Sequence, residues 1–409
     1  MNSPAVASRA QRSEEGRAGP ILEFPQPLSI AVVTETYPPE VNGVAMTIGR
    51  MIEGLVRSGH RIQLVRPRQH DADAPRHSPS LQEVLVASIP LPRYAGLRVG
   101  LPAGRALVRL WRKQRPDIVH VVTEGPLGSS AVGAARGLRI PVSSDFHTNF
   151  HSYSQHYGFG LLRPVIAAYL KGLHNRTACT FVPTRQLRGQ LEAEGYSGLQ
   201  VVARGVDTRL FAPERRSSDL RRDWGASEND LVVMHVGRLA PEKNLPVVLS
   251  AFDQIHQRVP GARLVLVGDG PQRTVLQKKY PQHRFAGMRH GVDLAVHYAS
   301  GDMFLFPSVT ETYGNVTMEA MASGLAVVAF DYAAAREHIV DRESGALVPF
   351  GDTVAFTRAA LGLALDEALR VTVRRTARMR AEHLDWAEVV EEFIRLLHVV
   401  VASGRGSPG

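Results

Sequence analysis

The chain has 409 residues, 44% of them hydrophobic and 21% charged, which is ordinary globular material and long enough for about two domains. A net charge of +9 draws it toward something anionic, and charge alone does not choose among nucleic acid, phosphorylated ligands and an acidic membrane surface. The single cysteine, Cys179, excludes an intramolecular disulfide and a cysteine zinc cluster, so a reducing cytoplasmic setting is the default, and no apolar run reaches the ~18 residues that span a bilayer.

Residues 1–27 are polar, carry Arg9, Arg12 and Arg17 among small residues, and lack the apolar stretch of a secretory signal; a loose tail is expected. The run LSIAVV (28–33) predicts the first strand. It leads through the Pro/Gly loop ETYPPEVNGV into a helical pattern that ends near Gly59. Within that loop Gly43, after Asn42, would let backbone approach a phosphate held by the helix N-terminus, although an Asn-Gly pair alone is more often just a turn. IQLVRP is the next strand. The following loop QHDADAPRHSP contains Asp71 and Asp73, a triplet of the kind that can hold a divalent ion; no strand precedes it, and it reads as solvated surface.

Arg105, Arg109, Arg112, Lys113 and Arg115 come next, with Leu107, Leu110 and Trp111 between them. This pattern fits either a basic amphipathic helix on anionic lipid headgroups or an ordinary surface helix leading into the strand DIVHVV (117–122). A small-residue helix at 128–137, the strand VSSDF, a helix at 161–176, the strand CTFVP around a core Cys179, and a helix at 184–195 complete the first half. Past VSSDF stand His147, His151 and His156. No acidic residue completes an HExxH pattern there, and Phe150 and Tyr153 interrupt the run, so a metal site is disfavoured.

The charged, strandless stretch 213–230 is the expected domain junction. Beyond it the pattern restarts with LVVMHVG (231–237), the loop RLAPEKN, a helix, and the strand RLVLVGDG. Arg238 and Lys243, on a loop at a strand's carboxyl end, could neutralise a diphosphate and stabilise it as a leaving group. Gly268-Asp269-Gly270 is not a dinucleotide fingerprint, because Arg273 stands where the third glycine belongs and no ribose-binding acid lies at the right distance. Glu311 and Glu319, eight apart in PSVTETYGNVTMEAMASG, put one carboxylate on a Gly-containing loop and the other on the next helix. Beside a helix N-terminus, such acids can hold sugar hydroxyls while the helix receives phosphate, the pattern of a nucleotide-sugar site. Strands that are apolar throughout and alternate with helices predict parallel sheets covered on both faces, hence two doubly wound, Rossmann-like α/β domains with ligands in the cleft between them. The last helix, about 386–401, is amphipathic at its start and apolar at its end.

Taken together, ETYPPEVNGVA, DFHTNF, HVGRLAPEKN, VGDGP and FPSVTETYGNVTMEAMASGLAVVA resemble the GT-B glycosyltransferases, and among them the retaining family four, over about residues 30 to 350. The likeness is greatest to bacterial GDP-mannose-dependent α-mannosyltransferases and related glycolipid glycosyltransferases. It implies an acceptor-side domain at 28–210, a nucleotide-sugar domain at 211–385, and a terminal segment 386–409 whose helix packs back on the first domain. It also implies that His147 lies next to the anomeric carbon and hydrogen-bonds the sugar. Glu311 would contact hydroxyls of the transferred hexose and Glu319 the ribose, with the main chain of Gly314, Asn315 and Val316 facing the diphosphate. The base reader is expected around GMRHGVD (287–293), and Asp145 orients its loop.

Such enzymes are retaining, metal-independent hexosyltransferases with no cofactor, the nucleotide sugar being a substrate. Expected partners are that nucleotide sugar, a lipid or glycan acceptor and an anionic membrane surface, not nucleic acid. The expected place is the cytoplasm, and for a lipid acceptor the inner face of the cell membrane. Two alternatives stay open: a UDP-sugar-dependent enzyme making a glycolipid or polysaccharide, and a nucleotide-sugar 2-epimerase of the same fold, against which the RxxxxKN and Glu–seven–Glu sets argue.

Overall fold

A computed structural model describes residues 26–40, 42–90, 98–147 and 163–405. Most of the N-terminal tail, His151, His156, Phe150 and Tyr153, the first residues of the helix expected from 161, and the last four residues lie outside the described residues.

The first unit is a seven-stranded sheet of β1 (Ser29–Val33), β2 (Arg61–Pro67), β3 (Leu81–Val86), β6 (Ile118–Val121), β7 (Val142–Asp145), β8 (Cys179–Val182) and β9 (Leu199–Val201), in the order β3-β2-β1-β6-β7-β8-β9. Every pairing in it is parallel, with Ile30 opposite Ile62 on one side and Ile118 on the other. A small antiparallel ribbon, β4 (Ser88–Pro90) with β5 (Arg98–Gly100), stands apart. The connecting helices are α1 (Gly43–Arg57), α2 (Gly104–Lys113), α3 (Pro126–Gly137), α4 (Arg163–His174) and α5 (Arg185–Ala193).

Successive strand residues point to opposite faces, and both faces of β1 are buried. Ile30 and Val32 pack on Ile48, Ile52 and Leu55 of α1, whereas Ala31 and Val33 pack on Leu107 and Trp111 of α2 and Leu127 and Ala131 of α3. Each aliphatic side chain fully buried in this way is worth roughly 1.5–3 kcal/mol, which explains why these strands read as unbroken apolar runs.

The second unit repeats the plan. After α6 (Ser218–Asp223), β10 (Val232–Val236), α7 (Leu245–Arg258), β11 (Arg263–Val267), α8 (Arg273–Lys279), β12 (Arg284–Gly287), α9 (Gly291–Ala299), β13 (Met303–Phe306), α10 (Asn315–Ala322), β14 (Ala326–Phe330), α11 (Ala333–His338), β15 (Ala346–Val348), α12 (Thr353–Leu365) and α13 (Glu367–Glu382) wind a parallel sheet in the order β12-β11-β10-β13-β14-β15. Val232 and Met234 face Tyr298 and Met321, while Val233 faces Val248, Phe252 and Phe356. In each sheet the strand order reverses beside the first strand, between β1 and β6 and between β10 and β13, and a crevice opens at those carboxyl ends.

The chain passes between the units twice, and at that place Val206 N donates to Leu384 O at 2.9 Å. The long α14 (Trp386–Arg405) then runs along α1, with Val390, Phe393 and Leu397 in the core of the first unit. Gly54 permits a close approach, since a Cβ there would sit 2.5 Å from Val390 Cγ2. The charged stretch 213–230 is packed, not loose. Arg221 is fully buried, donates to the carbonyls of Ser300 (2.7 Å) and Asp230 (2.6 Å), and pairs with Asp302 at 3.1 Å.

Two surface readings need correcting. Asp73 is not solvated: it is buried against Arg66 at 2.6 Å, and that hydrogen-bonded guanidinium holds its carboxyl down at about 2. Trp111 is 1% exposed and belongs to the core, so α2 presents Arg105, Arg109, Arg112 and Lys113 to solvent without an aromatic anchor. Among the described residues no helix is long and apolar enough to cross a membrane.

Candidate active site

The carboxyl end of β10 runs through Gly237 and Arg238 into a single 3₁₀ turn, Pro241–Lys243, and Asn244 in a left-handed conformation (φ 54°) turns the chain into α7. Lys243 at the end of that turn forms an ion pair with Glu311, and both side chains are only 15% exposed. Glu311 also accepts from Ser308 Oγ at 2.7 Å, its carbonyl accepts from Tyr332 Oη at 2.8 Å, and Lys243 lies 5.5 Å from the Phe306 ring centre. The loops after β10 and β13 are thereby stitched together, with Val309 N bonding Glu242 O at 3.1 Å. Arg238 is more open, 46% exposed and 3.8 Å from Glu242.

Two helix N-termini converge beside this pair. Gly314 adopts a left-handed conformation (φ 98°) that L side chains rarely tolerate, and it opens α10 without a side-chain cap. The first turn of such a helix carries main-chain N–H groups with no intrahelical acceptor, together with the positive end of the dipole. Asn315 starts this helix, and its Oδ1 is buried with no hydrogen-bond partner. Across from it is Gly43, the first residue of α1, where a Cβ would stand 4.0 Å from Asn315 Nδ2. Asn42 caps α1 by accepting from Ala45 N at 2.8 Å and donates to Thr36 Oγ1 at 2.7 Å. Val316 packs against the second core and contributes only its main chain at the helix start. One turn further along α10, Glu319 accepts from the Tyr298 hydroxyl at 2.9 Å, and burial pushes its carboxyl up to about 7.

On the opposite wall, His147 follows β7. Its Nε2 lies 3.1 Å from Asp145 Oδ2, its Nδ1 lies 2.7 Å from a guanidinium nitrogen of Arg204, and its carbonyl accepts from Thr312 Oγ1 at 2.9 Å. Both ring nitrogens therefore have protein partners. Burial opposes ionisation of Asp145, yet His120 at 3.3 Å and His147 hold its carboxyl well below the usual range. Asp145 is thus a pinned, ionised orienter of the imidazole. Between the walls a pocket open to solvent is lined by Phe146, Thr184 and Gln186 from the first unit and Glu311, Thr312 and Tyr332 from the second.

The structure sets Lys243 against Glu311, Gly43 against Asn315 and His147 against Thr312, with Arg238 on the loop before Lys243 and Gly314, Val316 and Glu319 at or on α10; sequence reading did not name Arg204, Thr312, Tyr298 or Tyr313, whose hydroxyl donates to the Arg204 carbonyl. Arg204 offered a faint signal, a charge in VVARGVD directly after an apolar strand. The tyrosines offered none. Among the described residues no group of three or more His, Cys, Asp and Glu could hold a metal ion.

Residues 41–210 match the model of Glycosyltransferase Family 4, and residues 230–366 match that of Glycosyl transferases group 1. A GDP-mannose-dependent alpha-mannosyltransferase of Mycobacterium tuberculosis is 34% identical over 327 residues, which cover 79% of this chain and 84% of that protein. The chain is a family 4 glycosyltransferase. The same enzyme family is represented by a phosphatidyl-myo-inositol mannosyltransferase of Mycolicibacterium smegmatis, 28% identical over 374 residues, or 88% of this chain and 91% of that protein. Sucrose-phosphate synthase from Thermosynechococcus elongatus superposes with a TM-score of 0.73 at 19% identity, covering 92% of this chain and all of that one, a likeness that shows the GT-B fold of the glycosyltransferase. It is a hexosyltransferase in which two parallel-sheet units face each other across the cleft.

Proposed function

We propose that this glycosyltransferase moves mannose from GDP-mannose onto a lipid or lipid-linked acceptor with retention at the anomeric carbon, residues 28–210 forming the acceptor side and 211–385 the donor side. The observation that carries the reading is the Lys243–Glu311 pair beside the N-terminus of α10, which the N-terminus of α1 approaches at Asn315. A diphosphate there meets two helix dipoles and the cations Lys243 and Arg238, whose attraction grows as charge develops on the leaving group. Released from part of its bond to Lys243, Glu311 holds hydroxyls of the hexose, and Glu319 those of the ribose. His147 borders the anomeric carbon through its main chain and its Asp145-oriented ring. With no protein nucleophile assigned, a donor phosphate oxygen accepts the proton of the attacking acceptor hydroxyl on the same face. The GDP-mannose-dependent and phosphatidyl-myo-inositol mannosyltransferases among the relatives support mannose and a lipid acceptor.

A donor panel on the purified enzyme tests this directly. Turnover is expected with GDP-mannose, unchanged in excess EDTA because fixed cations occupy the role of a metal. Release of UDP from UDP-hexoses in preference to GDP would overturn the donor, and loss in EDTA restored by Mg²⁺ would overturn the metal-free site. His147→Ala should lower turnover tenfold or more; near-wild-type turnover would remove His147 from the site.

The acceptor reading has its own test. With Trp111 in the core, membrane contact falls to the charges of α2, each worth about 1 kcal/mol near an acidic surface and weakened by salt. The wild type should sediment with anionic vesicles at low salt. The combined substitution Arg109→Glu, Arg112→Glu and Lys113→Glu should release it while leaving donor hydrolysis unchanged; equal sedimentation of the two proteins would make α2 an ordinary solvated face.

A further inference from the structure

Arg204 lies on the segment leaving β9 and is 7% exposed. Its guanidinium lies 2.7 Å from His147 Nδ1 and 5.6 Å from the centre of the Tyr313 ring, and its carbonyl accepts the Tyr313 hydroxyl at 2.9 Å. One residue thus touches the histidine of the first unit and the residue two positions from Glu311 in the second. A guanidinium can only donate, so Nδ1 must be the bare, accepting nitrogen. The ring proton then sits on Nε2 and points at Asp145 Oδ2, 3.1 Å away. Which nitrogen of a histidine carries the proton is set by the hydrogen bond that the other one makes.

We propose that Arg204 is a positioning residue of the glycosyl transfer, fixing His147 in its Nε2–H tautomer and ring orientation and tying that geometry, through Tyr313, to the seating of the Glu311 loop. This rests on the assignment of His147 to the cleft. A buried guanidinium is costly unless it is compensated. Burial lowers its pKa, while Asp145, Tyr313 and Glu311 act the other way, so the compensation comes from both walls of the cleft. A residue of purely local structural use would draw it from one. The Tyr313 hydroxyl is held in turn by His338 Nε2 at 2.9 Å, which fixes the ring against which the guanidinium lies.

The test reads the tautomer itself. In protein labelled with nitrogen-15 histidine, two-bond proton–nitrogen correlations distinguish Nε2–H from Nδ1–H, and the His147 signal is identified by its loss in His147→Gln. The wild type should show Nε2–H. In Arg204→Met, where Asp145 still accepts from Nε2 but no donor bars a proton from Nδ1, the neutral Nε2–H pattern should give way to that of a ring protonated on both nitrogens, turnover at saturating donor should fall about tenfold or more, and the donor KM should change less than about threefold, because a residue acting on the chemical step leaves ground-state binding in place. Arg204→Lys keeps a cationic donor and should recover part of the turnover and of the tautomer. Tyr313→Phe keeps the ring and should leave the tautomer unchanged. An Nδ1–H signal in the wild type overturns the proposal without any variant, as does an unchanged tautomer in Arg204→Met. Full turnover in His147→Ala would instead sink the site assignment, so the two failures are separable.

Discussion

Lys243→Ala is expected to lower turnover by roughly 100- to 1,000-fold, the loss that follows removal of one preorganised group aimed at developing negative charge. Glu311→Ala should cost at least about tenfold for the loss of its contact with the transferred sugar. The ion pair between them makes the two effects dependent. Without Lys243, the Glu311 carboxylate keeps the Ser308 hydroxyl at 2.7 Å but loses its cation, and without Glu311 the Lys243 ammonium is no longer drawn toward the sugar. The double variant should therefore be less impaired than the product of the two single losses, within about threefold of the worse of them, since contacting residues do not add. Arg238→Ala, at an exposed position 3.8 Å from its partner, should be milder, near tenfold. Thermal melts within a few degrees of wild type would show that the fold survives. Retention of more than about half the activity in Lys243→Ala or Glu311→Ala would remove that residue from the site.

The order of those effects shows how far the sequence could be read. The apolar runs of β1, β10 and β13 and the acid spacing around Gly314 are local patterns. Each one announces an element, because a buried parallel strand must be apolar throughout and glycine supplies the left-handed conformation at the uncapped start of α10. Arg204 could not be placed in this way, since its meaning depends on two residues 57 and 109 positions away in sequence. The same holds for Asp73, which looks like loop surface until β2 and β3 bring Arg66 and Glu83 together over it. Trp111 shows the reverse error. A basic helix with an aromatic among its cations looks like a membrane anchor in sequence, yet residues 107 and 111 are one helical turn apart and share the buried face. Charge compensation and helix rotation are tertiary facts. Composition records only that the charges exist.

Glu319→Gln should separate the stability of the site from its use. Burial pushes the Glu319 carboxyl up to about 7 from an ordinary value of 4.5, with the Tyr298 hydroxyl bond acting the other way. Between those two values the folded protein holds a proton that the unfolded chain has released. The contribution of the neutral carboxyl to stability is accordingly complete below about 4.5 and is lost as pH rises through about 7. Glutamine does not titrate, so relative to wild type the variant should gain stability between pH 5 and pH 8, by up to ~3 kcal/mol, read as a widening difference in Tm. Glu35 is also pushed up to about 7 by burial at the N-terminus of α3, but it is present in both proteins and cancels in the difference. Ligand binding should move the opposite way. Only the ionised carboxylate accepts two hydroxyls strongly, so wild-type affinity for free nucleoside diphosphate should tighten from pH 6 to pH 8 by more than that of the variant, in which only the ligand's terminal phosphate titrates, and should be at least about tenfold stronger at the upper end. A wild-type affinity that changes with pH no more than the variant's, together with a Tm difference that does not widen, would mean that Glu319 is a structural partner of Tyr298 and that the ribose is held elsewhere. A widening Tm difference with equal affinities would leave the burial argument standing and remove only the ribose contact.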